Sequence, residues 1–487
     1  MFSLFKKKKE QKMQILKRNR KTKIVATIGP VSENQPTIDK LFEAGVDVFR
    51  LNFSHGSHDE HRERVRMVRE AEKKFGRPVA IFADMQGPKL RLGTFEGGKI
   101  DIEKGMKIIL DSNPAAGNKE RVFLPHPEIL EVLEVGADIL VDDGNAHLRV
   151  TKKGADFVEV EVIAGKTLKD KKGVNLPTVL LKSSVITAKD RKDLAAAVTM
   201  DIDWISLSFV QRPEDITEAR EIMGKTDKQI IAKIEKPSAV ELIEGIVALT
   251  DAVMIARGDL GVEVPPEKVP SMQKRIIKVC RAAGKPVIVA TQMLESMTNS
   301  PRPTRAEVTD VATAVYDGTD AVMLSGETAN GDYPIEAVSM MNKIAMDAEQ
   351  NELYKQVRES DKLDLESNSS DAIASAAAKT ADVVGAKVIV VHTTSGSTAI
   401  RVARQRPTVP VLCMSEDYKV VRRLQMSYGI NAVLVDGIKN FDNVIAKASE
   451  LVKEKDMAKK GDLIVITAGL PIGTIGSTNI LHTTEVK

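Results

Sequence analysis

Short, almost uninterrupted apolar runs alternate with longer stretches of helical periodicity over the first two thirds of the chain. The runs are Ile24 to Ile28, Val46 to Leu51, Val79 to Ala83, Trp204 to Leu207, Ile230 to Ile234, Ala252 to Ile255, Val287 to Ala290 and Ala321 to Leu324. Continuous apolarity, in place of strict alternation, marks strands buried on both faces. Eight of them, most followed by 12 or more residues of helical pattern, predict a parallel (β/α)8 barrel. Two helix starts support this reading: Ser57-His-Asp-Glu60 and Thr304-Arg-Ala-Glu307 each have the spacing of a capping box. Between the third and fourth runs, from about Pro88 to Lys182, the period shortens to two. Ile100 to Ile102, Lys107 to Leu110, Ile139 to Val141, His147 to Val150 and Val158 to Val162 read as strands, with turns at Asp142-Asp143-Gly144 and Lys153-Gly154. After a helical stretch, Ser339 to Tyr354, and a polar linker, Glu359 to Ser370, a second α/β unit follows. Its strands are expected at Lys387 to Val391, Val409 to Met414, Ala432 to Val435 and Asp462 to Thr467. The fold class is therefore α/β: a (β/α)8 barrel over residues 23–87 and 184–358, an all-β insertion over 88–183 placed to act as a lid, and an α/β domain over 359–487.

The 487 residues exceed what one core organises, in keeping with several domains. Lys plus Arg (71) nearly equals Asp plus Glu (68), and the excess sits in a basic extension over residues 1–22. A basic tail can touch nucleic acid or anionic lipid, but few aromatic residues interleave with this one, so nucleic acid is not an expected partner. The two cysteines, Cys280 and Cys413, lie far apart and outside any C-x-x-C spacing, which excludes a disulfide framework and a thiolate metal site and fits a reducing cytoplasm. No apolar run approaches the roughly 20 residues of a membrane span. No membrane partner is expected.

In a barrel the reactive side chains belong just beyond the carboxyl ends of the strands. There the sequence places Arg50 to His55, Asp84, Lys233 and Glu235, Arg257 and Asp259, Thr291 and Gln292, and Ser325 and Glu327. Lys233 and Glu235 share one face because alternate strand residues do. Two carboxylates with little competing nitrogen or sulfur suit a hard cation such as Mg2+ or Mn2+, and neighbouring cations suit a phosphate. Together they favour phosphoryl transfer, which is stabilised mainly by positive charge and positioning. His55, His58 and His61 raise a zinc reading, which is set aside because His58 and His61 fall in a capped helical turn expected to face solvent.

Nine segments in order then resemble the pyruvate kinase family: TKIVATIGP, RLNFSHG, ADMQGPKLR, KKGVNLP, AKIEKP, MIARGDLG, VATQMLESM, PRPTRAEVTDVA and DAVMLSGETA. The similarity runs from about Lys23 to the C terminus. It implies transfer of the phosphoryl group of phosphoenolpyruvate to ADP, giving ATP and an enol of pyruvate that is then protonated. By resemblance Lys233 stabilises the phosphoryl group in flight and Arg50 holds it from another side. Glu235 and Asp259 bind Mg2+ or Mn2+. Amides around Gly258 and Asp259 receive the substrate carboxylate, and Thr291 belongs to the proton route. His55, Arg91 and Lys172, with the Asn52-Phe53-Ser54 segment, contact the nucleotide. The resemblance further implies a homotetramer in the cytoplasm.

Asn52, Ser54, Asp84 and the Met85 carbonyl match the family's monovalent-cation ligands. Members that require potassium carry Glu shortly after that Asp, whereas Asp84-Met-Gln-Gly-Pro-Lys89 carries Lys, as in members that need none; activity without K+ is therefore expected, with the Lys89 ammonium in its place. The last domain offers a hydroxyl-rich turn at a helix start, Thr393-Thr394-Ser395-Gly396-Ser397-Thr398, with Arg401, Arg404 and Arg406 following, and an anion suits such a turn. By resemblance it is the allosteric effector loop. The facing loop, Gly469 to Gly476, has no Arg, Lys or Trp, which argues for a sugar monophosphate or AMP over a bisphosphate. The competing class is a metal-dependent barrel lyase using phosphoenolpyruvate or pyruvate, which would not need Arg91, Lys172 and a β lid for ADP. ATP formation separates the two.

Overall fold

The computed structural model describes residues 18–177, 179, 184–360 and 365–487. Most of the basic extension, residues 1–17, the end of the predicted insertion, 180–183, and part of the predicted linker, 361–364, lie outside the described residues.

The eight apolar runs form a closed parallel barrel of Lys23–Ile28, Val48–Asn52, Ala80–Asp84, Trp204–Val210, Gln229–Ile234, Ala252–Ala256, Val287–Ala290 and Ala321–Leu324. Closure is made by Lys23 to Ala26 pairing with Ala321 to Leu324. Inside, Phe82, Trp204, Met254 and Met323 interdigitate with Ala80, Ala252, Ala290 and Ala321, so the interior is a packed core and no pore. A second core, which includes Leu41, Val68, Ile216, Ile246, Ile276 and Met341, seals the helices onto the strands. Both predicted capping boxes are present, with Ser57 and Glu60, and Thr304 and Glu307, bonding reciprocally.

Between the third and fourth strands the chain builds a six-stranded sheet with its own core, including Leu110, Val141, Leu148 and Val160. Asp142, Asp143 and Gly144 all have positive φ, as the predicted turn requires. Arg121–Phe123, Thr167–Lys169 and Val174–Asn175 add short strands, and Pro127–Val132 a helical turn, that the alternation did not disclose.

The C-terminal sheet orders Ile430–Leu434, Val411–Ser415, Val388–His392, Leu463–Gly469 and Thr478–Glu485. The last strand is antiparallel and was not foreseen; its alternation is polar on the exposed face. Glu359 and Ser360, read as linker, close the helix Glu352–Ser360, and Ser369 opens the next. This domain is tied to the barrel by the Lys23 ammonium on the Ile430 carbonyl (2.6 Å), Arg406 on Asp320 (3.1 Å) and Arg422 on Glu72 (2.5 Å) and Asp201 (2.9 Å). Both cysteines are buried and unbridged, and burial pushes both thiols up. Among the described residues no helix is long and apolar enough to cross a membrane.

Candidate active site

The second, third and fifth strands, with the fourth between the last two, end in charge on one side of the barrel. Arg50 donates from Nε (2.8 Å) to Asp84 Oδ2, lies 2.7 Å from it through a terminal nitrogen, and reaches Thr27 Oγ1 at 3.1 Å. The guanidinium is thus fixed by two neighbouring strands. Lys233 projects into the same space, its Nζ 2.9 Å from Glu235 Oε1, 2.7 Å from Ser208 Oγ and 3.5 Å from Asp84 Oδ1. Asp84 and Glu235 are buried, and the Lys233 side chain is only 12 % exposed.

Burial alone would lower the Lys233 pKa, but the charges of Asp84 and Glu235 outweigh it and hold the ammonium above its ordinary value. For Asp84 burial works upward, and Lys233 and Arg50 together bring the carboxyl below its ordinary value. Glu235 is different: burial, reinforced by the Asp259 charge and opposed by Lys233, pushes its carboxyl up. Asp259 acts electrostatically on both groups, its charge raising the pKa of Lys233 and of Glu235.

Lys233 and Glu235 are met by residues that the sequence did not single out. Strand four bulges between Leu207 and Val210, which sends the Ser208 hydroxyl to Lys233 and the Phe209 amide to Glu235 Oε2 at 2.7 Å. Strand four, like strand one, had no terminal residue picked out, although Ser208 and Phe209 stand at the expected place.

On the opposite rim Thr291 and Gln292 take φ of +65° and +55°. A β-branched residue in that region is held there by its surroundings. Arg257 supplies the grip: it is bidentate on Asp310 (2.6 Å each) and donates to the Thr291 carbonyl at 2.9 Å. The Thr291 hydroxyl gives its proton to the Ala290 carbonyl (2.6 Å) and accepts from the Gly258 amide (2.7 Å). A Cβ on Gly258 would lie 3.3 Å from that hydroxyl, so glycine permits the approach. Here the Gly258 amide serves Thr291. Glu327 likewise caps backbone, accepting from Ser325 and Leu294 amides.

The Asn52–His55 turn follows strand two. Asn52 Oδ1 accepts from the Ser54 amide (3.1 Å), the Phe53 amide bonds Asp84 O (3.0 Å), and Lys189 holds the Phe53 carbonyl (2.7 Å). Asn52 pairs with Asp84 across the strands, and the Met85 carbonyl accepts from Ser208 Oγ at 2.7 Å. His61, expected to face solvent, is buried: its ring stacks on Phe53 at 4.0 Å and bonds the His55 carbonyl at 3.0 Å. Asp59 and Glu60 of the same turn are exposed, and His61 alone turns inward because Phe53 offers an apolar platform. His58 pairs with Asp193 at 2.8 Å, and among the described residues no cluster of three His, Cys, Asp or Glu residues suits a metal.

Other predicted residues stand farther out. Lys89 is exposed and makes no ion pair with any described residue, so the structure does not bring its ammonium to Asp84. Arg91 is exposed and bonds the Lys171 carbonyl (2.9 Å), next to Lys172, whose ammonium is paired with Asp142 at 2.7 Å. His55, at the end of the Asn52–His55 turn, is exposed. In the C-terminal domain Thr393, Thr394, Ser395, Ser397 and Thr398 line a narrow pocket against Gly469 and Gly473 to Thr478, while Gly396, at φ +93°, makes the turn. Thr398 and Thr478 share a 2.5 Å hydrogen bond. The arginines that follow do not turn to this pocket: Arg401 and Arg404 pair with Glu366 and Asp371, and Arg406 with Asp320. Those acids are distant in sequence, so the pairing was not legible there.

Comparison with known proteins identifies the family. The model of the pyruvate kinase barrel domain matches residues 19–338, and that of the pyruvate kinase alpha/beta domain matches residues 371–483. A pyruvate kinase of Methylorubrum extorquens is 46% identical, over 96% of this chain and 98% of that protein. One of Geobacillus stearothermophilus is 44% identical over 95% of this chain and 80% of its own length. The crystal structure of a pyruvate kinase from Cryptosporidium parvum superposes with a TM-score of 0.90 at 35% identity, covering 96% of each chain. With a closed parallel barrel, an α/β domain behind it and both family models matched in order, the chain belongs to the pyruvate kinase family of phosphotransferases.

Proposed function

We propose that the pocket between Arg50, Lys233, Glu235 and Asp259 carries phosphoryl transfer from phosphoenolpyruvate to ADP, with the division of labour that follows. The bond from phosphorus to the enol oxygen breaks, a bond to the terminal phosphate oxygen of ADP forms, and the enolate left behind takes a proton at carbon to become pyruvate. The observation that carries this reading is the Lys233 ammonium, kept charged between Glu235 and Asp84 and set beside Arg50. Two cations converge where the phosphoryl oxygens gain charge, which is where a preorganised field lowers a barrier. Thr291, held by Gly258 and Ala290, sits on the rim from which a proton can reach the enolate.

A divalent ion fits the remaining chemistry. Glu235 is pushed toward protonation by burial and by Asp259, a surplus of negative charge that a cation relieves. Glu235 and Asp259 would hold Mg2+ or Mn2+, with substrate oxygens and water completing the hard-oxygen shell that two carboxylates leave open. Bound there, the ion supplies Lewis-acid stabilisation and a template for the substrate. His55, Arg91 and Lys172 would contact the nucleotide, the last two carried by the inserted β-domain as a lid. For Lys172 this requires exchange of its Asp142 partner for phosphate. Lys89, at the root of that domain, would replace the free K+ at Asn52, Ser54, Asp84 and Met85 only by swinging its ammonium in from the exposed position it holds here.

The hydroxyl-lined pocket of Thr393 to Thr398 would take a phosphorylated activator with one phosphate, a sugar monophosphate or AMP. Its lining residues include no lysine or arginine to grip a second phosphate. A homotetramer in the cytoplasm is the assembly and setting we infer. The defining assay incubates the protein with phosphoenolpyruvate, ADP and Mg2+, with and without K+, and follows both products. Equal yields of pyruvate and ATP are expected, whereas pyruvate without ATP would favour a lyase-type barrel.

A further inference from the structure

Strand four departs from regular pairing where it enters the pocket. Its register with strand five skips between Leu207 and Val210, and Phe209 takes φ +57°, a conformation that a bulky residue adopts only where its surroundings impose it. Two adjacent residues are thereby turned to one task. Ser208, 5 % exposed, gives its hydroxyl proton to the Met85 carbonyl at 2.7 Å, which leaves its lone pairs toward Lys233 Nζ, also at 2.7 Å. The Phe209 N–H, which an unbroken ladder would spend on a neighbouring strand, reaches Glu235 Oε2 at 2.7 Å. The turn after strand three is shaped around the bulge: a Cβ on Gly87 would lie 2.8 Å from the Phe209 ring and 3.0 Å from Ser208 Cβ.

An ammonium has three N–H directions in fixed tetrahedral relation. Glu235 at 2.9 Å and Ser208 at 2.7 Å take two of them. Asp84 Oδ1, at 3.5 Å and without a hydrogen-bond partner among the described residues, adds charge but sets no direction. The third N–H is therefore aimed by the first two. Without Ser208 the ammonium can swing onto Asp84, and Lys233 keeps its charge but loses its aim.

We propose that the Ser208–Phe209 bulge is a positioning device for phosphoryl transfer, in which the Ser208 hydroxyl aims the Lys233 ammonium and the Phe209 amide aims the Glu235 carboxylate. The inference rests on the roles given above to Lys233 and Glu235, and the test separates the two. Ser208→Ala and the similarly sized Ser208→Cys are each expected to lower kcat by about 10- to 100-fold, with KM for phosphoenolpyruvate moving less than about threefold. Mn2+ affinity, read from the electron paramagnetic resonance signal of free Mn2+, should stay within about twofold, because Ser208 does not touch the carboxylates that would hold the ion. In a double-mutant cycle, Ser208→Ala added to Lys233→Met should cost almost nothing further, since its effect acts through Lys233. Losses that multiply independently, or a Ser208→Ala kcat within about twofold of the parent, would overturn the inference. A fall in kcat with a matching fall in melting temperature and Mn2+ affinity would do the same, by showing a general packing role. If Lys233→Met itself loses little, the reading of Lys233 fails, and that outcome is distinct from Ser208→Ala alone having no effect.

Discussion

Replacing Lys233 with methionine keeps the length of the side chain and removes its charge. An ammonium about 3 Å from a phosphoryl oxygen is worth roughly 5.5 kcal/mol per unit charge at an effective dielectric of about 20. Only charge that develops between bound substrate and transition state counts toward rate. Half a unit gives about 2.7 kcal/mol, about 100-fold in rate and the lower end of the roughly 10²–10³-fold measured when one preorganised donor is removed elsewhere. We therefore expect kcat in the coupled pyruvate assay to fall by about 100- to 1000-fold. The same substitution leaves Glu235 buried without its 2.9 Å partner. Breaking a buried pair in this way costs about 3–5 kcal/mol, so the melting temperature in chelator should drop. A divalent ion supplies the missing positive charge and should restore much of it, up to about 2.7 kcal/mol at a hundredfold excess over Kd. The variant thus becomes inactive but strongly stabilised by Mn2+. A kcat within about tenfold of the parent, or loss of Mn2+ stabilisation together with activity, would refute the arrangement of charges argued here.

Three further outcomes follow from other parts of the molecule. Burial and Arg64 hold the His61 pKa at about 4 against 6.5 in an open chain; the unfolded state binds the extra proton, so stability falls as pH drops through that window, and thermal melts should show a flatter acid limb for His61→Phe. For Lys23, burial outweighs the pull of Asp47 and, with Arg77, Arg20 and Arg18, lowers the amine to about 7 from 10.5. The unfolded state again binds more protons, so stability should rise between pH 7 and 10.5, a rise that Lys23→Met should lack in melts across that range. Lys89→Glu should create potassium dependence where the parent has little, tested by rates with and without K+; nearly complete dependence in the parent, or none in the variant, would show that Lys89 does not replace the ion.

The barrel was readable because parallel strands buried on both faces must be apolar throughout, so Ile230 to Ile234 or Val287 to Ala290 announce themselves without any partner. Lys233, Glu235 and Asp259 stood out for the same reason turned round, as charged residues at or just beyond the ends of apolar runs. The short strand Thr167–Lys169 and the antiparallel Thr478–Glu485 were harder, since half-exposed strands carry little apolar signal. His61 was misread because helical position gives an angle but not what lies opposite, here the Phe53 ring. Arg401 and Arg404 follow the hydroxyl-rich turn in sequence, yet Asp371, some 30 residues earlier, claims them.

Local sequence, then, determined which segments are strands, where the helices begin and which charged groups stand at the barrel mouth, because burial and capping act over a few consecutive residues. Tertiary structure alone decided how those groups are paired and aimed. A register skip beside Ser208, a stacked ring under His61 and an aspartate behind Arg404 each depend on atoms brought together from remote parts of the chain. Electrostatic and hydrogen-bond energies vary steeply over about 1 Å, a scale on which spacing along a sequence carries no information.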